Sequence, residues 1–531
     1  MKKNNMRLLV ILGLILTIGL LTACNRNAED ASENNDNQTV ETTNGDSNFV
    51  LAISGNPMST NPIIVGDRFG LTFNNMVYSP LARIDANNEF HFELAESMEV
   101  SEDGLTITVN LREGVLWSDG EPFTAHDVVF TYGVRGNREL GHGNYTGLWI
   151  GDAPIEFEAL DDLTVEFRLP EVSAAVLNNL LFEVNIMPEH IFADEPDFAA
   201  PDLVAHPVGT GPFRLVEYNR DQYLLFEANE YHFGGTPQIE MVTLRVIENA
   251  DTARMALQAG DIDAAIVLPA DIETLDEGMI TTFPYSENRV GYIGMNPATD
   301  ELSDVRVRQA IRYALNINDM NIAAFMSEDF FNTPLSILPP NNPWAVTDVN
   351  TFDRNLDRAR ELLAEAGVTD LNLNFGFNSA DPAGTMQATL AQAQLAEIGV
   401  TVELEPQDGA ALSAELGAGS TRFNLFVGGY IMGNDPDAYG SLFRSNGPFN
   451  WFNSNTPGVD ELFDRAAVEM DEDARFELYA EVQRLIADDA FFVPVVDNLR
   501  VLAVNNRIGG IVEAGLVPIF LFQDMTQLYI R

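Results

Sequence analysis

The sequence predicts an α/β fold built from more than one lobe. Three observations carry that prediction. The chain has 531 residues, and a single hydrophobic core stops growing at about 250–300. Residues 105–111 and 163–169 alternate apolar and polar side chains with the period of a half-buried strand. Residues 356–405 then alternate helical and strand periodicity, as βα units do. A composition of 46% hydrophobic and 21% charged residues fits a folded globular protein.

At the N-terminus, Lys2, Lys3 and Arg7 precede an apolar run over 8–21. This run of fourteen residues, broken only by Gly13, Thr17 and Gly19, suits a signal-peptide core better than a span of about 30 Å of hydrocarbon. The run ends Leu21-Thr22-Ala23-Cys24, similar to a bacterial lipobox, so 1–23 is expected to be a lipoprotein signal peptide and Cys24 the lipidated residue. A plain secretory signal with an accidental cysteine is the alternative. Residues 24–48 are rich in Asn, Asp, Glu, Ser and Thr, with Val40 the one large aliphatic, and read as a disordered tether. The folded body is expected from Phe49.

Residues 241–247 form a third strand candidate, and 252–259 a short helix stopped by Gly260. Val307, Ala310, Ile311, Ala314 and Leu315 fall at helical spacing, as do Leu356, Ala359, Leu362, Leu363 and Ala366. Leu371, Leu373, Phe375 and Phe377 alternate as a strand. A helix over 382–398 and a strand over 400–404 follow, then an amphipathic helix over 474–487 and two late strands at 491–496 and 501–504.

Charge and composition exclude several functions. With 80 acidic and 29 basic residues the formal charge is −51, which repels nucleic acid. One cysteine excludes a disulfide framework and a Cys-based zinc site. Lys2 and Lys3 are the only lysines beside 27 arginines, so neither a Walker A loop nor lysine Schiff-base chemistry is available. Arginine keeps its charge above the lysine pKa of about 10.4, which suits a salty or alkaline habitat; a solvated acidic face and genomic base bias account for the same composition. There is no Gly-x-Ser-x-Gly elbow and no His-Glu-x-x-His, and the six histidines are isolated. No enzyme signature, metal site or cofactor motif is present in the sequence.

Five segments, in order, carry a resemblance: Asp103-Gly104-Leu105 through Trp117-Ser118-Asp119-Gly120-Glu121-Pro122 to Phe130; Pro207-Val208-Gly209-Thr210-Gly211-Pro212-Phe213; Asn229-Glu230-Tyr231 with Ala256-Leu257-Gln258-Ala259-Gly260-Asp261; Val305-Arg306-Val307-Arg308-Gln309-Ala310; and Gly429-Tyr430-Ile431-Met432-Gly433-Asn434-Asp435-Pro436-Asp437. Together they resemble the oligopeptide/dipeptide/nickel-type substrate-binding lipoproteins of bacterial ABC importers, solute-binding family 5, in the Gram-positive oligopeptide-binding version. Thr124 with Asp127 reads as a capping box at the helix of the first segment. The 207–215 loop reads as structural, its glycines permitting close approach.

The resemblance implies a two-lobed periplasmic-binding-protein-like fold with two crossing strands and an extra inserted domain. Lobe I would hold 49–284 and 498–531, with an inserted subdomain at about 85–200, and lobe II 285–497. It implies capture of oligopeptides without catalysis or cofactor, delivery to permease subunits, a membrane anchor through Cys24, and a monomer. Implied ligand-facing residues are Thr60, Asn61, Tyr430, Ile431, Met432, Asp435, Trp451 and Phe452. The family's amine-binding aspartate falls on Met432, which leaves Asp435 either as its substitute or as turn chemistry. Another solute (a dipeptide, nickel chelate or oligosaccharide), or a secreted lipid-anchored hydrolase, stays open.

Overall fold

The computed structural model describes residues 47–85, 90–140, 147–181, 184–193 and 207–531. The leader, Cys24 and most of the tether lie outside these residues. The fold is α/β, as expected. Twelve strands form one large sheet: β1 (Asn48–Ile53), β2 (Phe213–Asn219), β3 (Tyr223–Ala228), β4 (Met241–Val246), β5 (Ala264–Val267), β6 (Ile280–Ser286), β7 (Arg289–Met295), β8 (Phe331–Asn332), β9 (Leu371–Asn378), β10 (Val400–Gln407), β11 (Leu425–Ile431) and β12 (Phe492–Asn505). Their order is β2-β3-β4-β1-β5-β12-β7-β11-β9-β10, with β6 and β8 also paired to β12.

Side-chain alternation explains how the β1 half of this sheet is buried on both faces. Phe49, Leu51 and Ile53 join Leu502 and Val504 in one apolar cluster. Val50 points the other way and meets Leu257, Ala265, Val501 and Ala503. The helix Ala250–Ala259 covers that second face. A separate cluster gathers buried side chains from Val290 to Val496 around β7, β9 and β11. A fourth is built on a four-stranded antiparallel sheet (Ala95–Val100, Thr106–Leu111, Thr164–Arg168, Glu156–Asp161) and the helix Ala125–Arg135. That helix opens with the expected capping box: the Asp127 carboxylate accepts the Thr124 N–H at 2.8 Å.

The helices read from periodicity are present as Val305–Ala314, Leu356–Glu365, Pro382–Ala396 and Glu472–Asp489. The first of them buries the stripe that predicted it; Val307, Ala310, Ile311 and Ala314 are all at most 1% exposed. One expectation is corrected. The two late strands are a single 14-residue strand, β12. Its middle carries Asp497, Asn498 and Arg500, which break the apolar pattern, yet the ladder runs through it: Asn498 pairs with Phe331 and Leu499 with Ser286.

The 207–215 loop is structural. A Cβ on Gly209 would lie 1.8 Å from the Val77 carbonyl oxygen, and one on Gly211 2.5 Å from that of Met76. Only glycine lets this loop close over the end of the helix Arg68–Val77, where the Gly211 N–H donates to the Val77 carbonyl at 2.9 Å.

Candidate functional site

Two strand pairs carry the chain between the two halves of the sheet. β6 ends at Ser286 and β7 begins at Arg289, and both lie along β12. At the join, Asn288 takes a positive φ of 54°. A polar network fills this crossing. The Ser286 hydroxyl donates to the Asp497 carboxylate at 2.8 Å, and Asn332 Nδ2 donates to it at 3.0 Å. The Arg289 backbone N–H is a further donor to Asp497. Asp497 is fully buried; burial pushes its carboxyl above the ordinary value, while Asn332, Ser286 and the Arg289 N–H pull the other way. Beside it, Glu287 accepts from Arg68 at 2.5 Å and Arg500 at 3.0 Å. Arg68 opens the helix Arg68–Val77, so this carboxylate ties a helix of the β1 half to the crossing.

In the second half, β9 runs parallel to both β10 and β11. The helices Pro382–Ala396 and Gly409–Gly417 start just beyond the C-terminal ends of β9 and β10, capped by Asp381 and Asp408. Ligands of open α/β sheets bind outside such strand ends. Here β11 is open in a specific way. It pairs with β7 along its whole length, from Leu425 to Ile431, but with β9 only at Leu425 and Phe426. From Val427 onward one edge of β11 has no ladder partner among the described residues, and Gly429, Ile431 and Gly433 are exposed.

The residues expected to face ligand divide sharply. Ile431 is 36% exposed at the end of this open edge, and Met432 follows it, half-buried. Tyr430 points to the opposite face: its hydroxyl donates to the Ile337 carbonyl at 2.5 Å, and its ring meets Tyr292 and Tyr439, each at 5.7 Å. Burial holds its phenol well above the ordinary value. Phe452 is fully buried and stacks on Phe443 at 5.8 Å, so it offers a ligand no surface. Trp451 lies against Gly417, the last residue of the helix Gly409–Gly417, at the opposite end of β11 from Ile431. There it borders a cavity of about 530 Å³ with Leu416, Gly419 and Asn453.

Thr60 is 5% and Asn61 0% exposed. Asn61 braces its own loop, its Oδ1 accepting the Ile63 N–H at 2.9 Å. Asp435 is engaged by Arg475, whose two terminal nitrogens each donate to it at 2.8 Å, and it also caps the short turn Pro436–Tyr439. Its carboxylate is thus committed to Arg475 and to the head of this turn. Burial, then the charge of Asp435, raises the Asp437 carboxyl pKa. The crossing network was missed from sequence. Its signal is the polar tetrad Ser286-Glu287-Asn288-Arg289 between two apolar strands, matched by the polar interval in β12.

The fold is a mixed α/β one whose sheet has two halves joined along one long strand, with an open strand edge in the second half. The chain belongs to the bacterial extracellular solute-binding proteins, family 5, whose model matches residues 89–452. It is similar to the oligopeptide-binding protein AppA of Bacillus subtilis, 28% identical over 92% of this chain and 93% of that protein. Among solved structures it is similar to the ABC transporter substrate-binding protein CtaP of Listeria monocytogenes, with 33% identity, a TM-score of 0.87 and coverage of 91% and 99% of the two chains. The AppA structure from Bacillus subtilis in complex with a nonapeptide matches with 25% identity and a TM-score of 0.72, over 91% of this chain and 99% of that one. Among the described residues no helix is long and apolar enough to cross a membrane.

Proposed function

We propose that this protein captures oligopeptides between two lobes and hands them, chemically unchanged, to the permease of an ABC importer. The single observation that carries this reading is the open edge of β11 from Val427 to Ile431. An extended peptide adds to such an edge by main-chain hydrogen bonds, which are indifferent to side-chain sequence. The nonapeptide complex of a protein alike in fold over nearly the whole chain supports the same ligand class. Lobe I comprises 49–284 and 498–531, with the subdomain at about 85–200, and lobe II 285–497. The crossings at 286–289 and 497–499 are the hinge, and closure is stabilised by a ligand that touches both lobes. Ile431 and Met432 border the bound peptide. Cys24 carries the lipid that holds the protein, as a monomer, on the outer face of the membrane.

The test is small-angle scattering and mass spectrometry of the purified protein with and without a mixture of nonapeptides. The reading expects compaction on peptide addition and recovery of intact peptides from the complex. Identical scattering profiles, or cleaved peptides, overturn it.

A further inference from the structure

β7 begins with an arginine for which the fold supplies no counter-ion. Arg289 is half-buried, and its backbone N–H is committed to Asp497. Among the described residues its guanidinium meets no carboxylate and no hydrogen-bond acceptor. In a chain with 80 acidic residues that is a marked omission. Glu287, two residues earlier, is shared by Arg68 and Arg500 instead. Among the described residues Arg220 and Arg465 are also unpaired but exposed, and Arg245 lies on β4 in the other half of the sheet.

Two glycines form the bed on which this guanidinium rests. Gly291 of β7 stands directly across from Gly429 of β11. A Cβ on Gly429 would lie 2.2 Å from one guanidinium nitrogen of Arg289, and a Cβ on Gly291 2.9 Å from the other. Only bare backbone at both positions lets the side chain lie across the two strands. It is thereby held at the part of β11 that is exposed and lacks a ladder partner.

A guanidinium offers paired N–H donors that match a carboxylate in two-point contact. Partly withdrawn from water and left unmatched, it costs stability that an incoming anion restores. The geometry points to a carboxylate subsite: a ligand lying along the free edge of β11 sets a carboxylate on Arg289. This deepens the peptide reading and rests on it for the nature of the ligand. The carboxylate is the C-terminus of the peptide or an acidic side chain, two sources of one chemistry.

Calorimetric titration of the purified full chain with four probes separates them: pentaalanine, pentaalanine amide, Ala-Ala-Glu-Ala-Ala amide, and glutarate. At least one carboxylate-bearing peptide is expected to bind about 10- to 100-fold tighter than pentaalanine amide, the range for a hydrogen bond to a charged group. Whichever peptide gains identifies the source. Arg289→Gln removes the gain and Arg289→Lys keeps part of it. Gly429→Ala, which retains the charge but displaces the guanidinium, also reduces it, and Arg289→Gln leaves binding of the amide unchanged. If all peptides bind alike to wild type and Arg289→Gln, the subsite is overturned and the peptide reading stands. If glutarate alone binds, and through Arg289, the subsite stands and the peptide reading falls. If none of the four binds, both fall.

Discussion

Asp497 shows how a single carboxylate conditions the crossing. It is fully buried among uncharged donors, Ser286 and Asn332, and burial raises its pKa. Between the unfolded value near 3.8 and the raised folded value, the folded state binds the extra proton. The stabilisation from the protonated form is therefore fully present below the unfolded pKa, and it is lost as pH rises through the folded one. Asparagine keeps an acceptor for the Arg289 N–H and does not titrate. We expect Asp497→Asn to gain stability relative to wild type as pH rises from acid to neutral, measured by thermal midpoints across that range. A difference independent of pH would refute the burial argument. Sequence alone did not single out this residue, because an aspartate in an acidic chain carries no signal. Asp435 shows the converse: its motif drew attention, but the partner that holds its carboxylate, Arg475, lies forty residues away.

At the scale of elements, what was legible was local. The helices Val305–Ala314 and Leu356–Glu365 were visible because one stripe of each enters the core and the other faces water. β12 was read as two strands because its centre serves the crossing and carries Asp497 and Arg500 where apolar residues would otherwise stand. The open edge of β11 was not legible either, since it depends on where β9 stops pairing, a property of tertiary geometry. The loop over the helix Arg68–Val77 was read correctly as structural, and it supports a sharp expectation. Gly209→Ala drives a Cβ into backbone, which cannot yield as a flexible side chain would, and should cost about 1–3 kcal/mol. Gly66→Ala, with nothing within 4 Å of the new Cβ, is the control and should be neutral. Equal thermal midpoints for the two variants would show that the loop has slack.

The whole molecule has an unusual alkaline limit built into its composition. Both lysines precede residue 4, so apart from those of histidine every ion pair of the described body uses arginine, from Arg68–Glu287 at the crossing to Arg507–Asp263 beside β1. Arginine does not lose its proton in the range where lysine does, so these pairs persist through about pH 10.4. What fails first is the set of phenols whose pKa burial raises most. Tyr78, Tyr132, Tyr292, Tyr430, Tyr439 and Tyr479 all have their pKa pushed up by burial. A phenol whose folded pKa exceeds its unfolded one contributes stability that is present below the unfolded value of about 10 and is lost as pH climbs toward the folded value. With six such groups the losses add, and unfolding above pH 10 becomes steep. The expected outcome is a thermal midpoint nearly flat from pH 7 to about 9.5, followed by a sharp fall. Phenolate absorbance from the buried tyrosines should rise together with unfolding and not before it. A gradual decline beginning near pH 8, or phenolate appearing in the folded protein ahead of the transition, would place the limit elsewhere than in these six side chains.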